Sequence, residues 1–246
     1  MSFRLAFPLF SPALLALALT GLAAQAAAAA ETTRYSASLL GVTVGRMTLS
    51  VATSDSSYAV ASQTTSTGLA GLFSPFKVTN RVKGTVSGGT FRPTRYESQG
   101  DGERAGRGAV IEYEKGVPRI IAMDEERHPG APVLDPATQA GKVDPLTLTY
   151  ALLRDIPAGE SCTMALDIFD GHRAARMTLG APETGADSMT CRGLYRRVDG
   201  YPPEDLAERQ DFPFVVRYAR LPDGSHRPME IVLDSLFGAA RLTRDN

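Results

Sequence analysis

The chain reads as an all-β protein: a mainly antiparallel, strongly curved sheet or open half-barrel of about a dozen strands, with one helix packed in or against it. Three observations predict this. Apolar residues alternate with polar ones through most of the chain, the period of a half-buried strand. Gly, Asp-Gly and Ser-Asp-Ser punctuation separates these runs at hairpin intervals. One segment, 144–154, carries helical spacing together with helix-start residues.

In chain order, Tyr35 to Leu39, Val42 to Val51 and Tyr58 to Thr65 read as consecutive strands bent at Gly41 and at Ser54-Asp55-Ser56. Residues 68–76 break the alternation with Leu69, Leu72, Phe73 and Phe76 among glycine and proline, which predicts an apolar loop. Strands resume over 77–87 and, past Gly88-Gly89, over 91–99. The glycine-rich stretch up to Gly108 predicts a hairpin tip, followed by strands over 109–113 and 117–123. Residues 124–142 lose periodicity, carry Pro129, Pro132 and Pro136, and read as a long loop crossing the sheet.

The helix begins with Asp144 at the N-cap and Pro145 at the first helical position, where a missing N–H leaves nothing unpaired. Leu146, Tyr150 and Leu153 recur at helical spacing, and Leu148 with Leu152 widens the apolar face. Six more strands are predicted over 161–169, 173–179, 188–198, 215–221, 228–233 and 239–243, with turns at Asp170-Gly171, Gly180, Asp199-Gly200 and Asp223-Gly224.

The N-terminus predicts export. Arg4 precedes an apolar run to Ala24, densest over 13–19, and Ala24-Gln25-Ala26 has the small-x-small form of a signal-peptidase site. An uncleaved anchor is the alternative, but the dense apolar part falls short of the ~20 residues that span a bilayer. Residues 1–30 are therefore expected to be a cleaved signal peptide, and 31–246 a single periplasmic domain without a membrane anchor. Net charge is −1, from 26 basic and 27 acidic side chains, so no nucleic-acid footprint is present. Cys162 and Cys191 lie in the exported part, where pairing into a structural disulfide is expected. A redox pair or half a metal site is the alternative.

Candidate chemistry is sparse. His128, His172 and His226 are scattered, and Asp167, Asp170 and His172 form the nearest approach to a polar cluster. Asp170-Gly171-His172 falls where a hairpin turn is expected. No Gly-x-Ser-x-Gly elbow or phosphate-binding glycine pattern occurs in a suitable context. No enzyme activity, metal or cofactor is predicted. The apolar residues Leu69, Leu72, Phe73 and Phe76, with Leu146 and Tyr150 of the helix, are the candidate ligand-binding set. They line either a plug at the sheet's end or the lip of a cavity open to an apolar ligand.

Tyr35, the stretch Leu-Leu-Gly-Val-Thr-Val-Gly at 39–45, residues 66–76, Pro93-Thr94-Arg95-Tyr96 and Val143-Asp144-Pro145-Leu146-Thr147 together carry a family resemblance. The chain is similar over nearly all its mature length to the proteobacterial domain-of-unknown-function family 3108. The resemblance implies periplasmic residence and a β-rich fold, and carries over no site residues. Such a curved sheet is similar in architecture to periplasmic lipoprotein carriers. The function expected is non-enzymatic binding, in the concavity, of a lipid or lipoprotein-like apolar ligand or an envelope protein partner; an envelope-acting hydrolase and an envelope assembly factor are the alternatives.

Overall fold

The computed structural model describes residues 30–101, 108–124 and 130–245. The expected signal peptide, the interior of the glycine-rich tip and His128 lie outside these residues. Strands β1 (Glu31–Leu39), β2 (Val42–Thr53), β3 (Ser57–Ser66), β4 (Lys77–Ser87), β5 (Thr90–Asp101), β6 (Ala109–Glu114) and β7 (Val117–Met123) form the first half. Strands β8 (Met164–Phe169), β9 (Ala174–Thr184), β10 (Ser188–Asp199), β11 (Asp211–Arg220), β12 (His226–Ser235) and β13 (Gly238–Arg244) form the second. Three short helices intervene: α1 (Gly68–Phe73), α2 (Pro145–Leu153) and α3 (Pro203–Glu208).

All thirteen strands join one antiparallel sheet in the order β7-β6-β5-β4-β3-β2-β1-β13-β12-β11-β10-β9-β8. Each half is an up-and-down meander, and the first and last strands, β1 and β13, pair in the middle. An odd number of alternating strands leaves the two edge strands, β7 and β8, running in the same direction. The hydrogen-bond ladder does not join them. The 130–143 connection fills that gap instead: its 3-10 turn Pro136–Gln139 packs on β7, and Val143 makes a parallel bridge to Ile168 of β8.

The alternating pattern becomes an inward apolar face and an outward charged one. Tyr35, Leu49, Val60, Val82, Ile111, Met177 and Val216 are buried. Arg95–Glu112–Arg119, Arg217–Glu230–Arg241, Arg196–Asp211 and Arg192–Glu183 pair on the outside. A charged exterior of this kind is incompatible with lipid-facing barrel walls. No helix among the described residues is long and apolar enough to cross a membrane.

Helix α2 lies inside the curve, touching β3, β4 and β5 on one side and β8 and β12 on the other. It is enclosed on more than one face: Leu146, Thr147, Tyr150, Ala151 and Leu153 are all buried. Tyr150 stacks on Tyr58 with ring centroids 5.4 Å apart, and Phe91 meets both rings edge-on at 6.0 and 5.8 Å. Edge-on and offset contacts suit the aromatic quadrupole.

Two predicted details differ. Residues 68–73 form a one-and-a-half-turn helix rather than an irregular loop; Gly71 N–H donates to Thr67 O at 3.2 Å. Gly180 lies inside β9, not at a turn: β9 passes it by a register shift opposite Cys191 and Gly193, and runs on to Thr184.

Close packing imposes glycine at several positions, Gly193 among them. Gly193 on β10 lies against the ring of its cross-strand partner Phe214, and a Cβ there would sit 2.7 Å from the Thr178 carbonyl oxygen. Gly193→Ala is expected to lower the free energy of unfolding in urea by about 2 kcal/mol, the usual cost of overpacking.

Candidate functional site

The rim of the sheet formed by the β1–β2, β3–β4 and β12–β13 connections carries six exposed apolar side chains. Leu40 (71 % exposed), Val42 (59 %), Leu72 (77 %), Phe73 (85 %), Leu236 (37 %) and Phe237 (74 %) lie there. The sheet order brings these connections together. The Leu40 N–H donates to Ala239 O at 3.0 Å, and Gly238 packs against the Leu40 side chain. On the other side, α1 rests on β2 and β3, with Thr67 N–H donating to Val44 O at 3.0 Å. Scattered exposed apolar residues are ordinary, but a contiguous set on one end of a domain is not.

The chemistry of the rim is uniform. Residues 35–45, 66–76 and 235–240 contain no charged side chain. One row below, Arg46 and Lys77 flank Thr65 across β2, β3 and β4, both exposed, with Asp101 opposite Lys77. The β1–β2 hairpin turns on Leu40 and Gly41, at φ 51° and 84°. A two-residue turn with both φ values positive favours Asn-Gly, and leucine in the left-handed region is a strained choice.

The sequence-predicted residues divide between this rim and the core. Leu72 and Phe73 project at the rim. Phe76 is half-buried at the base of the α1 connection, where its N–H donates to Ser66 Oγ at 2.9 Å and its carbonyl accepts from Ser66 N–H at 3.1 Å. The backbone of Leu69 is in α1, and its side chain lies outside the described residues. Leu146 and Tyr150 are packed into the core, because α2 lies inside the curve of the sheet, one of the two placements expected for it. Tyr150 lines a pocket of about 230 Å³ at the opposite end of the sheet, together with Tyr35, Glu31, Arg154, Asp155 and Arg244. Sequence reasoning missed Leu40, Val42, Leu236 and Phe237; the first two come beside α1 through β2, and the last two join them only through the β1–β13 pairing.

Cys162 and Cys191 form a disulfide, with Cα atoms 6.5 Å apart, both sulfurs buried. The bond ties the start of β8 to β10 across the intervening β9.

The Asp167, Asp170 and His172 residues do not form a joint site. Asp167 is an outward partner of Arg176 at 3.4 Å. Asp170 Oδ1 accepts the N–H groups of His172 and Arg173 at 2.8 and 2.7 Å, as a turn carboxylate does. Among the described residues no three His, Cys, Asp or Glu side chains gather as a metal site would require.

The most perturbed carboxylate is interior. Asp144 is fully buried at the start of α2, where Oδ1 accepts Leu146 and Thr147 N–H, each at 2.9 Å. Oδ2 accepts the Thr147 hydroxyl at 2.6 Å, and that hydroxyl lies 3.0 Å from the Tyr58 hydroxyl. Burial pushes the Asp144 carboxyl up to about 6, against the opposing pull of these hydrogen bonds. The group caps and anchors the interior helix.

A solved β-barrel-like protein of the domain-of-unknown-function family DUF1849 from Brucella abortus is similar at 11 % identity and a TM-score of 0.47, over 89 % of this chain and 96 % of that one. No curated protein matches the chain. Residues 34–191, from β1 through the disulfide-forming Cys191 on β10, match the model of a family described as "Protein of unknown function (DUF3108)", and the chain belongs to that family.

Proposed function

We propose that this chain is a non-enzymatic, exported periplasmic protein that docks its apolar rim onto a lipid surface of the cell envelope. The observation that carries this reading is the contiguous, charge-free rim of Leu40, Val42, Leu72, Phe73 and Phe237 beside the basic pair Arg46 and Lys77. Apolar tips over a row that carries Arg46 and Lys77 match the layering of an acyl boundary beneath anionic headgroups, with Asp101 the row's acidic end. The strained Leu40 supports the reading, since strain persists where something besides stability retains it. The disulfide fits an oxidising compartment.

Two substitutions test this by co-sedimentation with phosphatidylethanolamine–phosphatidylglycerol vesicles. Phe73→Asp is expected to weaken vesicle partitioning by roughly tenfold or more, because it exchanges a buried aromatic for a charge at the acyl boundary. Leu40→Asn is expected to relieve turn strain, leaving stability equal or up to about 1 kcal/mol higher, while weakening partitioning. Wild-type protein that stays in the supernatant, or variants that sediment as wild type does, would count against lipid docking. Co-purification of a protein partner lost with the same substitutions would reassign the rim to that partner.

A further inference from the structure

The sheet has a second break, at the end opposite the rim. Strands β5 and β6 pair only from Arg95↔Glu112 to Ser98↔Ala109. Beyond Arg95, β5 stays paired with β4 down to Thr90, and β6 stays paired with β7 down to Glu114. The two hairpins therefore splay, and a cleft of about 670 Å³ opens between them. The gap between β7 and β8 is filled by the 130–143 connection, but nothing among the described residues fills this one.

The cleft wall has a consistent chemistry. Phe91, Pro93 and Tyr113 supply its apolar lining, Phe91 from the margin of the core, and Arg92, Lys115 and Lys142 supply positive charge. No carboxylate among the described residues lines the cleft; Glu112 and Glu114 border an adjoining pocket that shares Thr94 and Tyr113 with it, and Glu112 is engaged by Arg95 and Arg119. Lys142 is held in place, while Arg92 and Lys115 are exposed at the cleft mouth. Lys142 Nζ donates to Gln139 Oε1 at 2.6 Å, with Gln139 itself buried, and Gly141 N–H donates to Gly116 O at 2.8 Å, which locks the Lys115–Gly116 turn to the back of the cleft. The Tyr113 hydroxyl is buried without a hydrogen-bond partner among the described residues. Burial raises its pKa and holds it neutral, with Asp144, Tyr96 and Tyr58 of the interior as its nearest titrating neighbours.

We infer that the cleft between the β4–β5 and β6–β7 hairpins is a binding site for a small ring-bearing organic anion, its ring against Phe91, Pro93 and Tyr113 and its phosphate or carboxylate among Arg92, Lys115 and Lys142. The volume lies within the range of small-molecule sites, and the combination of an apolar wall with a few convergent polar groups is what such sites require. Three cations that line one cleft without a counter-charge among the described residues repel one another, a cost that an anionic ligand would offset. The site is independent of the rim, so failure of one leaves the other standing.

Amide NMR titration of the mature domain with phenyl phosphate, inorganic phosphate and benzyl alcohol tests this. Phenyl phosphate is expected to saturate shifts at the Gly116 and Gly141 amides, roughly tenfold or more tighter than either single-feature probe. Arg92→Gln combined with Lys115→Asn, which keeps a residue tolerant of the left-handed turn, is expected to weaken that binding about tenfold without changing the melting temperature. The inference is overturned if phenyl phosphate leaves those amides unshifted. It is also overturned if inorganic phosphate binds as tightly, which would mark an adventitious ion only, or if benzyl alcohol does.

Discussion

Replacing Asp144 with alanine is expected to destabilise the domain by about 3 kcal/mol in urea unfolding at pH 7, well above the roughly 1 kcal/mol of an exposed cap. The excess arises from burial. At a surface helix, water satisfies the amides that a lost cap releases. Here the Leu146 and Thr147 N–H groups and the Thr147 hydroxyl all point at a carboxylate with no exposure, so truncation leaves three donors unpaired in the interior. The effect should spread beyond α2. Thr147 links the cap to Tyr58, whose ring carries the stack on Tyr150 and Phe91, so loosening the helix start loosens the aromatic centre of the domain.

The same residue carries a pH signature of definite sign. Its folded pKa, about 6, lies above the usual 3.8, so the native state holds the proton more tightly than the unfolded chain between those values. Stability from this group is therefore fully present below about pH 4 and is lost as pH rises through 6, by roughly 3 kcal/mol in all. Exposed Asp211, Asp223 and Asp234, whose pKa values are lowered by Arg196, Ser225 and Arg209, act in the opposite direction. Comparing wild type with Asp144→Asn cancels them. Asparagine still caps both amides, so the variant should gain on wild type steadily between pH 4 and 7, and a parallel pair of pH–stability curves would contradict this account of the buried carboxylate.

Reduction of the disulfide, or its replacement by two alanines, is expected to cost about 3 to 4 kcal/mol, from the entropy of freeing a loop closed across 29 residues of separation. The location decides what loosens first. Strand β8 is a sheet edge, held on one side by β9 and on the other by the single Val143 bridge. Without the covalent tie from Cys162 to β10, this edge should fray before the rest. Hydrogen exchange should show β8 amides losing protection on reduction while β2 and β3 keep theirs.

Much of the fold is legible in the chain because period-two alternation and helix-start chemistry are local. The thirteen strand segments and the Asp144-Pro145 helix start were readable on that basis, as was the pairing of two cysteines in a sheet. Helix α1 was not, because Gly68, Gly71 and Pro75 signal a loop, and its six residues are too few to show a helical period. The continuation of β9 through Gly180 was hidden because glycine marks turns and bulges alike. The rim was only half visible. Leu72 and Phe73 announce themselves within one segment, but Leu40 and Phe237 are each a single apolar residue in a turn, nearly 200 positions apart. Only the pairing of the first strand with the last makes them neighbours. How deeply the helix is enclosed was hidden for a related reason: it read as amphipathic, yet the sheet curves around it and buries several of its faces.

The proposal that the rim meets lipid can be tested with a reporter the protein lacks, since the chain contains no tryptophan. Phe73→Trp places one indole at the most exposed rim position, and Ser56→Trp places one in the β2–β3 turn at the opposite end of the sheet. On adding phosphatidylethanolamine–phosphatidylglycerol vesicles, Trp emission in the Phe73→Trp protein should shift to the blue and be quenched by brominated acyl chains, while that in the Ser56→Trp protein stays unchanged. Emission that does not move at either position, or that moves equally at both, would contradict docking through the apolar rim.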